Sequence, residues 1–337
     1  MHFRASFPLP RRHSSAFVTI TVFLCLAAAT ELCPQTPQPQ SGTFTFQQRM
    51  FKSPRAAADA LIRAAEAHDV PALVDIFGPD GKKFVSSADP VQDKNIEAKF
   101  AAKAHEKNSV AVHQQPTPRA ILLVGKNDWP FPIPIIRKDG KWFFDTAAGR
   151  DEILYRRIGT NELDAIQVCR GFVEAQREYA SQVHDNSGIN QYAQKIISTP
   201  GKQDGLFWKN SDGSLGGPIS EAVARAIAEG YTANGQSPYH GYHFKVLKGQ
   251  GPAAPLGQLD YVINGVMIGG FALAAAPAQY RVTGVKTFIV GYDGIVYEQD
   301  LGPNSLKVFE KIDRYNPDKG WTRTNDQWPQ DVTSTLP

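Results

Sequence analysis

The stretch Thr160–Ser181, TNELDAIQVCRGFVEAQREYAS, decides how the second half of this 337-residue chain is read. Ala165, Ile166, Cys169, Phe172, Val173, Tyr179 and Ala180 follow i, i+3, i+4, i+7 spacing, which lays one wide apolar stripe down a helix. Glu162, Arg170, Glu174, Arg177 and Glu178 lie mainly off that stripe, so the stripe faces a core and the charges face water. Thr160 or Asn161 is placed to cap this helix. A shorter helix, Asp151–Ile158, is expected to precede it and to stop at Gly159.

Downstream, the pattern changes to a period of two. Gly241–Lys248, Leu259–Val266, Gly269–Ala275, Val285–Gly291 and Gly294–Gln299 read as strands, with a hairpin turn at Tyr292-Asp293 joining the last two. Gly and Pro separate most of them. A short helix is expected over Ser220–Gly230, and Asp185–Gly217 reads as loop. One long helix laid over an antiparallel sheet is an α+β layout.

Upstream of the central helix, Ser53-Pro54 supplies an N-cap followed by proline at the first helical position. A helix is expected over Arg55–His68, a second over Val70–Phe77 after Asp69, and a third from Asp89-Pro90 to about His105. Arg119–Val124, an edge strand over Pro132–Arg137 and a hairpin partner at Lys141–Asp145 then form a small sheet, turned at Lys138-Asp139-Gly140. The expected organisation is a signal peptide over 1–29, a disordered Pro/Gln-rich linker over 30–50, an α+β domain over 51–150, a second α+β domain over 151–325 and a flexible tail over 326–337.

The signal peptide is read from Arg11-Arg12-His13, the apolar run Ala16–Ala29 and the small-residue exit Ala27-Ala28-Ala29. That run is shorter than the roughly 20 residues a membrane span needs. An exported protein, in the periplasm or outer envelope of a Gram-negative-type bacterium, is the expected location. Cleavage near Ala29 would remove Arg4, Arg11 and Arg12 without an acidic residue, leaving 33 basic against 33 acidic side chains. A neutral mature chain argues against nucleic acid or anionic lipid as partner, since both are held by clustered Lys and Arg. Of three cysteines, Cys25 leaves with the signal, Cys33 sits in the linker and Cys169 lies in the central helix, so stability is expected to rest on a core.

No catalytic signature is present: there is no G-x-S-x-G, no H-E-x-x-H and no Walker-type loop. Gly249–Ala254 superficially matches a dinucleotide loop, but Pro252 and Pro255 bar the helix such a loop must open. His240 and His243 are expected to face opposite sides of a strand, without the further ligands a metal needs. Asn210–Gly213 reads as a turn. His68 and His105 are expected as solvated residues at helix ends, and no Asp/His pair can be placed. No cofactor and no metal are expected. The least bland group is Asp204, Trp208, Tyr239, His240 and Tyr242, with Phe207: aromatics in Gly-rich loops that could line a groove for a glycan or peptide.

Three resemblances follow from these stretches. The paired N-terminal helices and the hairpin IIRKDGKWFFD resemble the nuclear-transport-factor-like cone, which implies a bent sheet with a pocket. The central helix, with GYHFKVL and GGFALAAAPAQYRVTGVKTFIVGYDGIVYEQDLG, resembles a type IV pilin or pseudopilin head, yet the charged DEILYRRIGTNE stands where a pilin has its apolar stem. FKSPRAAADALIRAAEAHD, RRIGTNELDAIQVCRGFVEAQREYA, GKQDGLFW and GYDGIVYEQDLGP are similar to bacterial domain-of-unknown-function family 2950, which implies an exported envelope protein. The reading is a non-catalytic binding or assembly module, its partner an envelope protein or glycan. The alternative is a periplasmic hydrolase-type enzyme acting on envelope material. A buried Asp or Glu beside His240 or His243 in a deep pocket would sink the scaffold reading, whereas a closed cone with no cluster of ionisable groups in a cleft would sink the enzyme reading.

Overall fold

The computed structural model describes residues 48–325, apart from 115–116, 185–186 and 233–236. The expected signal peptide, most of the linker, Cys25, Cys33 and the tail lie outside the described residues.

The first half starts as its capping residues dictate. Helix α1, Pro54–Glu66, begins where the Ser53 side chain accepts from Ala56 N, and α2, Val70–Phe77, where Asp69 accepts from Ala72 N. After a turn at Pro79–Gly81 comes the short α3, Lys82–Val85. Helix α4, Pro90–Glu106, is capped by Asp89, which accepts from Gln92 N. An antiparallel sheet follows, made of β1 Asn108–His113, β2 Arg119–Val124, β3 Trp129–Pro130, β4 Ile135–Lys138 and β5 Lys141–Phe144. Its order is β1-β2-β4-β5, with β3 paired to β2.

Two expectations need correction here. The segment read as an edge strand is β4, and it lies between β2 and β5, because Pro132 and Pro134 fall before the strand and leave its ladder intact. Strand β1 was hidden by the polar residues that begin and end it. The β4–β5 turn places Asp139 and Gly140 at φ 51° and 78°, the two left-handed positions of a type I′ hairpin.

The central correction concerns Gly159. A single helix, α5, runs unbroken from Thr146 to Tyr179 over 34 residues, capped by Asp145. A lone glycine costs a helix about 1 kcal/mol. Buried Leu154, Arg157 and Ile158 on one side of it, and Asn161, Ala165 and Ile166 on the other, outweigh that cost. The expected domain boundary at 150/151 thus falls inside α5.

The second half wraps α5 with a five-stranded antiparallel sheet. Its strands are β6 Tyr242–Leu247, β7 Ala272–Pro277, β8 Lys286–Gly291, β9 Val296–Asp300 and β10 Thr322–Arg323, in the order β10-β9-β8-β7-β6. Helix α6, Ser220–Ala228, and helix α7, Ser305–Lys311, complete the regular structure. The single strand expected over Leu259–Val266 is instead broken into Leu259–Asp260, Val262–Ile263 and Val266–Met267, the last two forming a small hairpin around Asn264-Gly265. The stretch read as loop holds short strands at Lys195–Ile197, Gly205–Lys209 and Leu215–Gly216. No helix follows Gly249-Gln250, which pairs with Leu259–Asp260 and with Arg314–Tyr315.

Two hydrophobic clusters result. One joins α1, α2 and the first sheet around Phe77, Ile135 and Phe144; the other joins the far end of α5 to the second sheet around Phe172, Phe271 and Phe288. Val282, from the second half, packs into the first cluster. The fold is α+β, and among the described residues no helix is long and apolar enough to cross a membrane.

Candidate functional site

Between α4 and the N-terminal part of α5 lies a cavity of about 1330 Å³. Both helices present a continuous face to it: Gln92, Ile96, Phe100 and Lys103 from α4, and Ile153, Arg157, Thr160 and Asp164 from α5. These positions recur every three or four residues, the spacing of one helix face. The floor is apolar, with Leu73 and Phe77 of α2, Phe84 of α3 and Phe131 beyond β3. Phe77, Phe84, Phe100, Phe131 and Phe144 contact one another with ring centroids 5.1–6.1 Å apart.

One end of the cavity is lined by Ala228, the last residue of α6, and by Glu229, Tyr231 and His240 after it. This end is held by a polar lattice linking the two halves. The Asp89 carboxylate accepts from Tyr231 Oη at 2.9 Å and from Gly241 N at 2.8 Å, while its other oxygen caps α4. Asn161 Nδ2 donates to Thr283 O at 2.8 Å, and Gln92 Nε2 donates to Asn161 Oδ1 at 2.6 Å. Asn95 Nδ2 donates to Glu229 O. Gly241 has φ +75°, and a Cβ there would sit 2.5 Å from Asn161 Nδ2, so only glycine fits.

His240 occupies the centre of this end. Its Nδ1 lies 2.7 Å from Asp164 Oδ2 and its Nε2 lies 3.0 Å from Glu229 Oε2. Both partners are carboxylates, an environment that favours the doubly protonated ring, in which each nitrogen donates. Burial pushes the imidazole pKa down, but the two carboxylate bonds outweigh it and hold the value above that of an ordinary histidine. Its φ of 47° is a conformation that non-glycine residues rarely adopt, and the surrounding bonds keep it there. Tyr239 stacks on the ring at 4.1 Å, and burial raises the Tyr239 phenol to about 12.

Arg157 of α5 also lines the cavity. Its side chain is 5% exposed, and its Nη2 donates to Phe84 O at 2.7 Å and lies 3.2 Å from Asp93 Oδ1. Its Nε and Nη1 have no partner among the described residues. Burial raises the Asp93 carboxyl, against the opposing pull of Arg157 and Ser87. Burial likewise raises Glu97, which is paired with His68 Nδ1. His68 is therefore a partnered, half-buried residue, not the solvated helix end expected for it. His105, 58% exposed opposite Glu66, does sit at the surface.

The far end of the cavity is basic. Lys99, Lys103, Lys126 and Arg156 line it with Glu106 and Trp129. Lys103 pairs with Glu106 at 3.0 Å, and Arg156 pairs with Glu152 and lies over the Trp129 ring.

The site residues proposed from sequence divide into three groups. Tyr239 and His240 are together at the cavity end. Tyr242 is fully buried in the second sheet, its Oη donating to Lys286 O. Asp204 is tied to Lys195 and Thr199 and Trp208 Nε1 donates to Asn210, so neither shares a partner with His240. Asn210–Gly213 is a turn, closed by Asn210 N to Ser214 O. Sequence reasoning missed Asp164, Glu229, Arg157 and Asp93. The available signal was spacing: Asp89, Asp93 and Glu97 lie four apart on one helix, as do Arg157 and Asn161 on another. His243 stands on β6, half-buried, with burial lowering its pKa.

A family model described as Protein of unknown function (DUF2950) matches residues 48–324. The chain belongs to this family. The matched span of DUF2950 covers α1 to β10 and thus every residue of the cavity. No curated protein and no solved structure matches the chain. Among the described residues, no group of three or more His, Cys, Asp or Glu side chains is placed to hold a metal ion.

Proposed function

We propose that this DUF2950 protein is an exported, non-catalytic binding protein that takes a small amphipathic molecule into the cavity between α4 and α5. One observation carries the reading. The cavity has an apolar floor of four phenylalanines and polar groups at both ends, which is the make-up of a small-molecule site rather than of a packing defect. A defect in a core is apolar and small, because protein interiors are packed to crystal density.

The carboxylates beside His240 are 30% exposed at Asp164 and 41% exposed at Glu229, so they are not the buried acid that would count for an enzyme. The hydrolase alternative requires a base with a lone pair free to take a proton. His240 has none, since Asp164 and Glu229 engage both ring nitrogens. Export rests on the basic n-region and apolar run at Arg11–Ala29. The likeness of 151–325 to a pilin head is supported by a long helix laid on an antiparallel sheet. An assembly role through that head is disfavoured, because the part of α5 that would continue into the stem carries Asp151, Glu152, Arg156 and Arg157.

Fluorescence titration with N-phenylnaphthylamine, a neutral amphipathic probe, tests the reading. The wild-type chain should bind it, and Ala102→Trp should weaken binding at least tenfold without loss of folding, because Ala102 is an exposed residue that lines the cavity. Equal binding by both proteins would refute the site.

A further inference from the structure

The first sheet has two faces with different surroundings. Along β2, Ala120, Leu122 and Val124 are buried in the first hydrophobic cluster, while Arg119, Ile121 and Leu123 alternate with them and face the other way. The strand register carries this alternation across the sheet. Arg119 stands opposite Ile136 of β4, Ile136 opposite Phe143 of β5, and Ile121 opposite Ala111 of β1. The helices that pack on these strands are α1, α2 and α4, and they join the cluster on the face of Leu122, Ile135 and Phe144. Ile121, Leu123, Ile136 and Phe143 are half-buried and belong to neither hydrophobic cluster. The water-facing side of an antiparallel sheet ordinarily alternates to polar residues, so an apolar one marks an interaction surface.

The same face is basic. Lys138 stands directly opposite Lys141, and Arg119 lies beside Ile136. All three cations are exposed, and none has an ion-pair partner among the described residues. Like charges placed opposite one another weaken a sheet. The outward positions of β1, β2, β4 and β5 carry no acid, and Asp139 in the turn is the only acid of the β4–β5 hairpin.

Charge complementarity selects the occupant. A second copy of the chain would bring the same cations and no carboxylate on this face, leaving the charges unmet. An anionic bilayer offers both requirements at once, phosphates for the cations and an acyl boundary for the apolar side chains. We propose that the outward face of the first sheet docks on an anionic lipid membrane, with Ile136 and Phe143 at the acyl boundary and Arg119, Lys138 and Lys141 on headgroup phosphates. The balanced total charge of the mature chain does not oppose this. A membrane's surface potential falls off within about 10 Å at 0.1 M salt and therefore acts on the local cluster, which the total conceals. The inference is independent of the cavity.

The test is co-sedimentation of the full chain with vesicles of phosphatidylcholine alone or mixed with phosphatidylglycerol. Each Lys or Arg near an anionic surface strengthens binding roughly fivefold. Lys138→Glu/Lys141→Glu should therefore weaken binding to the mixed vesicles by about tenfold or more. It exchanges one like-charged pair for another, so the hairpin keeps its stability. Lys82→Glu/Lys83→Glu makes the same change in net charge on two exposed lysines of α3, which packs on α2 and α5, and should weaken binding less than about twofold. Both variants retain the apolar N-terminal run, so the difference between them reports on the sheet alone. Wild type should prefer the mixed vesicles and lose that preference at about 1 M salt. Equal binding by the two variants, or no preference for phosphatidylglycerol, would overturn the inference. So would a lipid-free dimer in sedimentation velocity that Phe143→Ser abolishes, because the occupant would then be a second copy.

Discussion

The two ends of α5 are parts of one helix with opposite contents. From Ala165 to Tyr179 its inward face is Ala165, Ile166, Cys169, Phe172, Val173 and Tyr179, packed against strands whose segment Ala272–Ala276 is wholly buried. From Ile153 to Asp164 the inward face carries Arg157, Asn161 and Asp164 and looks onto a cavity. The first arrangement is what folding alone selects: apolar area removed from water at full packing density. The second keeps charges out of water and leaves space unfilled, both of which cost stability. A fold retains such a region where something other than stability depends on it.

The comparison can be broken most forcefully by truncating each end in turn. Phe172→Ala should cost about 3–5 kcal/mol by emptying the packed end, where Phe172 meets Phe271 edge-on. Arg157→Met should cost about the same, because Asp93 would be left buried without its counter-charge. Urea unfolding measures both. The difference must appear in binding: protein that remains folded should bind N-phenylnaphthylamine normally in Phe172→Ala, and its affinity for the dye should change in Arg157→Met, which alters the cavity wall. Equal dye binding by the two would erase the distinction drawn here.

A smaller effect belongs to His240. Its folded pKa is raised, so its contribution to stability is full below the unfolded value of about 6.5 and is lost as pH rises through the folded value. Wild type should exceed His240→Gln by about 1–3 kcal/mol near pH 6, and the gap should narrow toward pH 8. A gap that widens with rising pH would show that the ring is neutral and that the two carboxylates do not act on it as described.

The smallest effect is at Gly159, where the two ends of α5 meet. A Cβ there would touch nothing within 4 Å. Gly159→Ala should therefore stabilise the protein by about 0.5–1 kcal/mol, read as a rise in thermal midpoint. Destabilisation would mean that this point in α5 needs glycine for bending.

The packed end of α5 was legible in the sequence because its signal is local. A 3.6-residue apolar repeat, caps at Ser53, Asp69 and Asp89, and the Asp139-Gly140 turn each act over a few residues. Gly159 misled because a residue's helix preference is a small energy, and burial on both sides overrode it. The cavity was far less visible. Tyr239 and His240 stood out as aromatics in a loop, yet the partners that give His240 its character are distant in sequence: Asp164 by 76 residues and Glu229 by 11. Asp204 and Trp208 shared the same local composition but are bound into another hairpin. Polar residues that become buried at the meeting of two halves look, one by one, like surface residues.

Hydrogen–deuterium exchange of the full chain, with and without saturating N-phenylnaphthylamine, tests the central claim most directly. Protection should rise in α4, in Ile153–Asp164 and in the flanking segments Ala228–Tyr231 and Tyr239–Gly241, and should be unchanged in Lys195–Gly216. Protection confined to Lys195–Gly216, around Asp204 and Trp208, would place the site in the aromatic loops and contradict the account.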